Sequence, residues 1–125
     1  MDVIQTKQTP LKNTSHAIKA GDFVYVSGQI GMDYATGTLK GMTVEDELEQ
    51  AFKNLKEVLQ SARLTLNHVV KIEMRLVEMK LLRDADKLYA KVYPGEHVPA
   101  RDVYAVQTLH KGAKVEISAV AYAGK

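Results

Sequence analysis

The stretch that decides the fold is PARDVYAVQTLHKGAKVEI, which runs from residue 99 to residue 117. Its two ends have the apolar, β-branched character of strands, and HKG at 110–112 predicts a polar turn between them. Two charges of opposite sign interrupt the apolar pattern. Arg101 begins the first strand, and Glu116 lies between Val115 and Ile117 in the second. The placement of this pair is the main functional question that the sequence raises.

The rest of the chain alternates between strand and helix patterns. GDFVYVSG at 21–28 is apolar on both faces and predicts a strand bounded by glycines. Residues 43–63 have apolar positions at helical spacing, with Thr43 as the N-cap, and residues 81–95 repeat that spacing until Pro94-Gly95 ends it. Residues 68–79 alternate and predict a half-buried strand, with an apolar side of Val70, Ile72, Met74 and Leu76 and a polar side of Lys71, Glu73 and Arg75.

This order of elements predicts an α+β fold. Two one-sided helices can cover one face of a mixed β-sheet, which is the usual solution for strands and helices in this order. Several predicted strands are apolar on both faces, so the second face of the sheet also needs cover. A chain of 125 residues has nothing left to supply it. We therefore predict a homo-oligomer whose sheets face each other, because exposed apolar sheet of that extent favours association.

Length and composition limit the classes of function. The 125 residues fit one domain, 1–125, and the absence of cysteine excludes disulfides and thiolate chemistry and favours a reducing compartment such as the cytoplasm. No apolar run predicts a signal peptide or a membrane span. The 17 basic and 15 acidic residues give a net charge of +2, which argues against a surface dedicated to nucleic acid or membrane. The four histidines lack metal-ligand spacing, so no metal is predicted.

Simple strand geometry does not bring Arg101 and Glu116 together. In a hairpin centred near residue 111, Glu116 pairs with residue 106, and Arg101 lies about five rungs, roughly 17 Å, away. Three arrangements remain open: a bulge intervenes, Arg101 lies in a bend before the strand, or the pair converges across a subunit boundary.

The chemistry of the two side chains indicates a small anionic ligand. A guanidinium presents a planar fork that matches a carboxylate, and a glutamate in an apolar sheet can accept a proton or orient a water molecule. The competing interpretation is that both residues are ordinary solvated charges, as most charged side chains are.

The motifs resemble those of the RidA/YjgF family of reactive-intermediate deaminases, also described as endoribonuclease L-PSP proteins. PAR at 99–101, followed by Glu116 in KGAKVEI, resembles the C-terminal signature of that family. AIKAGDFVYVSGQIG at 17–31 and YAKVYPGEHVPAR at 89–101 extend the resemblance over nearly the whole chain. The resemblance implies a chorismate-mutase-like α+β fold, a homotrimer, and pockets at the subunit interfaces.

The resemblance also implies an activity, the hydrolysis of reactive 2-imino or enamine carboxylic acids such as 2-iminobutanoate and 2-iminopropanoate to 2-keto acids and ammonia. Arg101 would bind the substrate carboxylate, and Glu116 would orient or deprotonate the attacking water. The backbone at Ser27 and Gly28 would donate amide hydrogen bonds, and the Val103 carbonyl would accept one from the imine nitrogen. No metal or organic cofactor is required, because an iminium carbon is already electrophilic.

Three positions depart from the family pattern. In KNTSHAI at 12–18, Thr14 stands where an active-site tyrosine is expected, and it is the corresponding substrate-binding candidate here. Asp86 stands where asparagine is common and would add negative charge near an anionic substrate. Asp102 replaces a common serine and, in a bend, would compete for the guanidinium of Arg101.

Two other functions remain alternatives to the deaminase. The same fold could bind small carboxylates or keto acids without turnover, which the loss of the tyrosine at Thr14 makes plausible. An endoribonuclease or translation inhibitor rests on the description of the family alone, and the near-neutral charge argues against it. Tyr89 and Tyr93 have the spacing of a helix packing face, which we prefer to a role in lining a pocket.

Overall fold

The computed structural model describes residues 1–6 and 13–124, and it contains a mixed sheet with two helices on one face. Lys12, the first residue of KNTSHAI, lies outside the described residues. The six strands of the main sheet are β1 (Asp2–Ile4), β2 (Ala17–Ala20), β3 (Phe23–Ile30), β6 (Val69–Leu76), β7 (Ala100–Ala105) and β8 (Val115–Tyr122). The short strands β4 (Met32–Asp33) and β5 (Thr38–Leu39) pair with each other, and the helices are α1 (Val44–Ser61) and α2 (Leu82–Val92). The α+β architecture predicted from the sequence is confirmed.

The order of strands in the sheet separates the two ends of the stretch at 99–117. The order is β1-β2-β3-β8-β6-β7, in which β6 and β7 are parallel and the other neighbours are antiparallel. β7 and β8 follow one another along the chain, but β6 lies between them. The hairpin from which we estimated the separation of Arg101 and Glu116 therefore does not form. A short helical turn at His110–Gly112 is part of the connection that carries the chain past the edge of β6.

Helix α1 forms where its cap and its apolar stripe predict it. The Thr43 side chain accepts a hydrogen bond from the Asp46 amide at 3.1 Å, and acidic residues in the first turn suit the positive end of the helix dipole. The buried apolar residues of the stripe pack on β3 and β8, and they are Val44, Leu48, Ala51, Phe52, Leu55, Val58 and Leu59. Tyr89 of helix α2 and Tyr93, which caps its C-terminal end, add to the same core, as predicted, with both rings next to Phe52.

Strand β6 corrects one residue of the predicted pattern. Ile72, Met74 and Leu76 are fully buried towards the helices, as expected, but Val70 is 40% exposed and Val69 takes its place in the core. The β6–β8 ladder shifts its register between Val69 and Lys71. This irregularity reverses the faces at the start of the strand, which alternation alone cannot predict.

The face of the sheet that points away from the helices, which we call the open face, remains partly apolar. It exposes four aromatic side chains, Phe23, Tyr25, Tyr104 and Tyr122, each between 38% and 51% exposed. Phe23 and Tyr122 are paired across β3 and β8, with ring centroids 5.3 Å apart and ring planes tilted by 55°. Within a single chain this face is uncovered, as the sequence led us to expect. In the described ranges, no helix is both long and apolar enough to cross a membrane.

Candidate functional site

Arg101 lies on the side of the sheet that faces the helices. It pairs with Ile72 of the parallel neighbour β6, and Ile72 is fully buried beneath the helices. Paired residues on neighbouring strands point to the same face, so the Arg101 side chain projects towards α2. Arg101 belongs to regular strand, which rules out the bend that we had left open.

Two residues of α2 hold the guanidinium of Arg101. Its Nη1 donates a hydrogen bond to Asp86 Oδ1 at 2.6 Å, and its central carbon lies 4.4 Å from the ring centroid of Tyr89. Burial raises the pKa of the Tyr89 hydroxyl, and the positive charge of Arg101 opposes this rise. The Arg101 side chain is 25% exposed. A guanidinium has five donors, and this contact with Asp86 uses one nitrogen, so a second carboxylate has donors to bind.

Glu116 lies on the open face, where Arg75 and Gly28 hold it. Its Cα partners are Arg75 on β6 and Ile30 on β3, and the Arg75 Nε donates to Glu116 Oε1 at 2.7 Å. A Cβ placed on Gly28 would lie 2.7 to 3.0 Å from the three atoms of the carboxylate group. The carboxylate therefore lies against the backbone of Gly28, where only glycine leaves enough space.

Within one chain, Arg101 and Glu116 point to opposite faces of the sheet. On β6, Arg101 is level with Ile72 and Glu116 is level with Arg75, and residues three apart on a strand face opposite sides. They are separated by on the order of 10 Å along the strand as well as by the width of β6. No bulge on β7 brings them together, so of the three arrangements only convergence across a subunit boundary is left as a prediction.

Ser27 and Gly28 form a bulge in strand β3. The β3–β8 ladder passes from Val26–Ala119 to Gln29–Ile117, which sets Ser27 and Gly28 opposite one residue of β8. The Ser27 amide donates to the His16 carbonyl at 3.0 Å, and its hydroxyl donates to the Ser15 carbonyl at 2.6 Å. The Ser27 amide is therefore already used within the chain, and the amide contact of Gly28 with a ligand stays a prediction.

The bulge also brings the N-terminal segment to the site. Thr14 is exposed and directly precedes Ser15, whose carbonyl is the acceptor for Ser27. His16 is buried, and its Nδ1 accepts a hydrogen bond from the Thr6 amide at 2.8 Å, so it has a structural contact. Gly28 and Glu116 thus lie on the open face near the segment that follows Thr14, while Arg101 and Asp86 lie on the other face of the sheet.

Asp102 and Val103 follow Arg101 on the edge strand β7. Asp102 points to the open face, where its Oδ2 forms a salt bridge with Lys71 Nζ at 2.8 Å. It therefore does not compete for the guanidinium of Arg101. Val103 is half-buried on the same side as Arg101 and packs against the core. Because β7 is the last strand of the sheet, one side of its backbone is available to a ligand, including carbonyl groups.

Arg75 is the residue of this region that the sequence analysis missed. We had placed it on the polar side of a half-buried strand, and its side chain is in fact only 16% exposed. The alternation of polar and apolar residues indicated that Arg75 and Glu116 both point away from the apolar face of their strands. It did not indicate that the two strands are neighbours in the sheet. Among residues 1–6 and 13–124, no group of three or more acidic or histidine side chains is placed to hold a metal ion.

Comparisons with known proteins give a family and the same fold. The family model for endoribonuclease L-PSP matches residues 5–123. The chain is 37% identical to the human 2-iminobutanoate/2-iminopropanoate deaminase over 98% of this chain and 90% of that protein. It is also 37% identical to a RutC family protein of Pyrococcus horikoshii over 97% of each. The crystal structure of RidA from an Antarctic Psychrobacter superposes with a TM-score of 0.90 at 32% identity, covering 98% of this chain and 99% of that one.

Proposed function

The chain belongs to the endoribonuclease L-PSP family, which includes the Rid proteins, and from that premise we propose that it hydrolyses small 2-imino carboxylic acids to 2-keto acids and ammonia. The observation that carries the proposal is the pair of half-buried charges in the family signature. Arg101 has donors to spare for a carboxylate, and Glu116 has a carboxylate oxygen, Oε2, that Arg75 does not bind.

The proposed site requires two copies of the chain. Arg101 and Glu116 leave the sheet on opposite faces, so one copy supplies the guanidinium and another supplies the carboxylate. The aromatic side chains on the open face support a homotrimer in which the three open faces meet, because association would bury them. In such a ring each interface brings the edge strand β7 of one copy to the bulge of the next.

The mechanism then uses only side chains and backbone of this chain. Arg101 binds the substrate carboxylate through two parallel hydrogen bonds, and the Val103 carbonyl accepts one from the imine N–H. Glu116 Oε2 accepts a proton from a water molecule as the water oxygen adds to the carbon of the C=N bond. Glu116 passes this proton to the nitrogen of the tetrahedral adduct, then takes the proton of the new hydroxyl group and passes it to the same nitrogen as the C–N bond breaks, so that ammonia and the 2-keto acid leave. Positioning supplies much of the acceleration, since the imine carbon is already electrophilic.

The test is an assay with an imine generated in place. A threonine dehydratase in excess produces 2-iminobutanoate, so that hydrolysis limits the formation of 2-oxobutanoate, and the ketone is followed with and without the protein. We expect the wild type to accelerate ketone formation and Arg101→Ala and Glu116→Gln to have no such effect. Arg83→Ala, which removes an exposed arginine of α2, should act like the wild type. No acceleration by the wild type, or full activity of Arg101→Ala, would overturn the proposal.

A second candidate function is capture of small carboxylates without turnover. Thr14 favours it, because it stands where the family pattern has an active-site tyrosine, and its exposed hydroxyl is much less acidic than a phenol. Titration calorimetry with 2-oxobutanoate separates the two functions when it is set beside the kinetic assay. Binding without acceleration supports the binding module, whereas acceleration excludes it.

A further inference from the structure

Arg75 lies on the open face on β6, between the two strands that carry the proposed site. Its Cα partners are Glu116 on β8 and Tyr104 on β7. Its Nε donates to Glu116 Oε1 at 2.7 Å, which is a short contact for two charged groups. The two side chains are 16% and 22% exposed, so water competes little for this ion pair.

The other end of the guanidinium is anchored by three polar groups. Nη1 lies 3.3 Å from Glu73 Oε2, from the Tyr104 hydroxyl and from the Ser118 hydroxyl. The Tyr104 hydroxyl also donates to Glu73 Oε2 at 3.1 Å, which closes the group into a ring of contacts. A planar guanidinium bound at Nε and at Nη1 cannot rotate without losing several hydrogen bonds at once.

The carboxylate of Glu116 is therefore held from two sides. Arg75 binds Oε1, and the backbone of Gly28 lies against the rest of the group. Oε2 remains for a ligand or a water molecule. A catalytic base must lie within hydrogen-bond distance of the proton that it accepts, and a displacement of about 1 Å can reduce a rate on the order of 100-fold.

We propose that Arg75 is a positioning residue of the deaminase site, which acts on the reaction only by fixing the carboxylate of Glu116 over Gly28. This inference rests on the proposed function. Arg75 does not contact the substrate, so its removal lowers kcat and leaves KM unchanged, because the substrate carboxylate is bound by Arg101 on another element. Its effect also disappears when Glu116 can no longer act as a base.

The experiment is a double-mutant cycle on Arg75 and Glu116 in the imine assay, with Lys71→Met as the matched control. Lys71 lies on the same strand and face but pairs with Asp102. In Arg75→Met we expect kcat to fall about 10-fold to 100-fold with KM within about twofold of wild type. The variant Arg75→Met/Glu116→Gln should match Glu116→Gln alone, and Lys71→Met should keep the wild-type kcat.

A gentler variant keeps the test decisive if Arg75→Met does not fold. Tyr104→Phe removes one anchor of the guanidinium and leaves Arg75 in place, and we expect kcat to fall about twofold to fivefold at constant KM and constant thermal midpoint. A kcat near wild type in either folded variant, a rise in KM without loss of kcat, or losses that multiply in the double variant would overturn the inference. Failure of the proposed function is recognised separately, because the wild type itself would then be inactive.

Discussion

The two halves of the proposed site differ in how firmly the chain holds them. Glu116 lies on a central strand, enclosed by Arg75 and the backbone of Gly28. Arg101 lies on an edge strand, and its partner Asp86 is 45% exposed on the surface of α2. The first half is fixed by contacts within the chain. In the second half, the exposed carboxylate of Asp86 can turn into solvent, so a ligand can replace it at the guanidinium of Arg101.

The largest expected effect comes from separating the two halves between copies of the chain. Arg101→Ala and Glu116→Ala are each expected to be inactive, but a mixture refolded at equal amounts should recover about one quarter of wild-type activity, the chance that a site draws an intact residue from each partner. The measurement is ketone formation by the mixture, with each variant refolded alone as the control. If the mixture stays inactive although mixed oligomers form, both residues act within one chain and the comparison fails.

A smaller effect should follow from crowding the fixed half. Gly28→Ala places a methyl group within 3.0 Å of the Glu116 carboxylate, which must then move away from its position beside Arg75. We expect kcat to fall about tenfold, with KM nearly constant. Gly95→Ala is the matched control, because its added methyl group meets nothing within 4 Å. Equal kcat values for the two variants would show that the carboxylate is not held as tightly as the contacts indicate.

The smallest effect is expected at the adjustable half. Asp86→Asn removes the carboxylate that competes for Arg101 and should tighten the binding of 2-oxobutanoate roughly fivefold, since a partly exposed ion pair contributes about 1 kcal/mol. Asp84→Asn on the same helix is the control, because Asp84 pairs with Lys87 instead. Calorimetry measures both. Weaker binding in Asp86→Asn would mean that Asp86 orients the guanidinium for the ligand rather than competing with it.

Local signals predicted the elements of the fold well. Thr43 and the apolar stripe that follows it determine where α1 begins, and Pro94-Gly95 ends the second helical pattern just after α2. Alternation along residues 68–79 gave the correct faces for Ile72, Met74 and Leu76. These signals depend on neighbours within a few residues, which the sequence displays directly.

The arrangement of the site depends on contacts between distant parts of the chain. Residues 99–117 do not reveal that β6 enters between β7 and β8, and that insertion sets Arg101 towards Asp86 and Glu116 towards Arg75. The irregularities at Val69 and at Ser27–Gly28 change faces locally and break the alternation that a sequence pattern assumes. The residue types of the site were therefore predictable, but their orientations were not.

The bulge of β3 holds one residue more than the sheet needs, and that extra residue serves the proposed site rather than the fold. Removing either Ser27 or Gly28 would leave Val26 opposite Ala119 and Gln29 opposite Ile117, so that a regular ladder could run through this part of the sheet. The backbone would then close over the place where the Glu116 carboxylate now rests. Deletion of Ser27 or Gly28 would in this way leave the shape of this chain and remove the place of the Glu116 carboxylate.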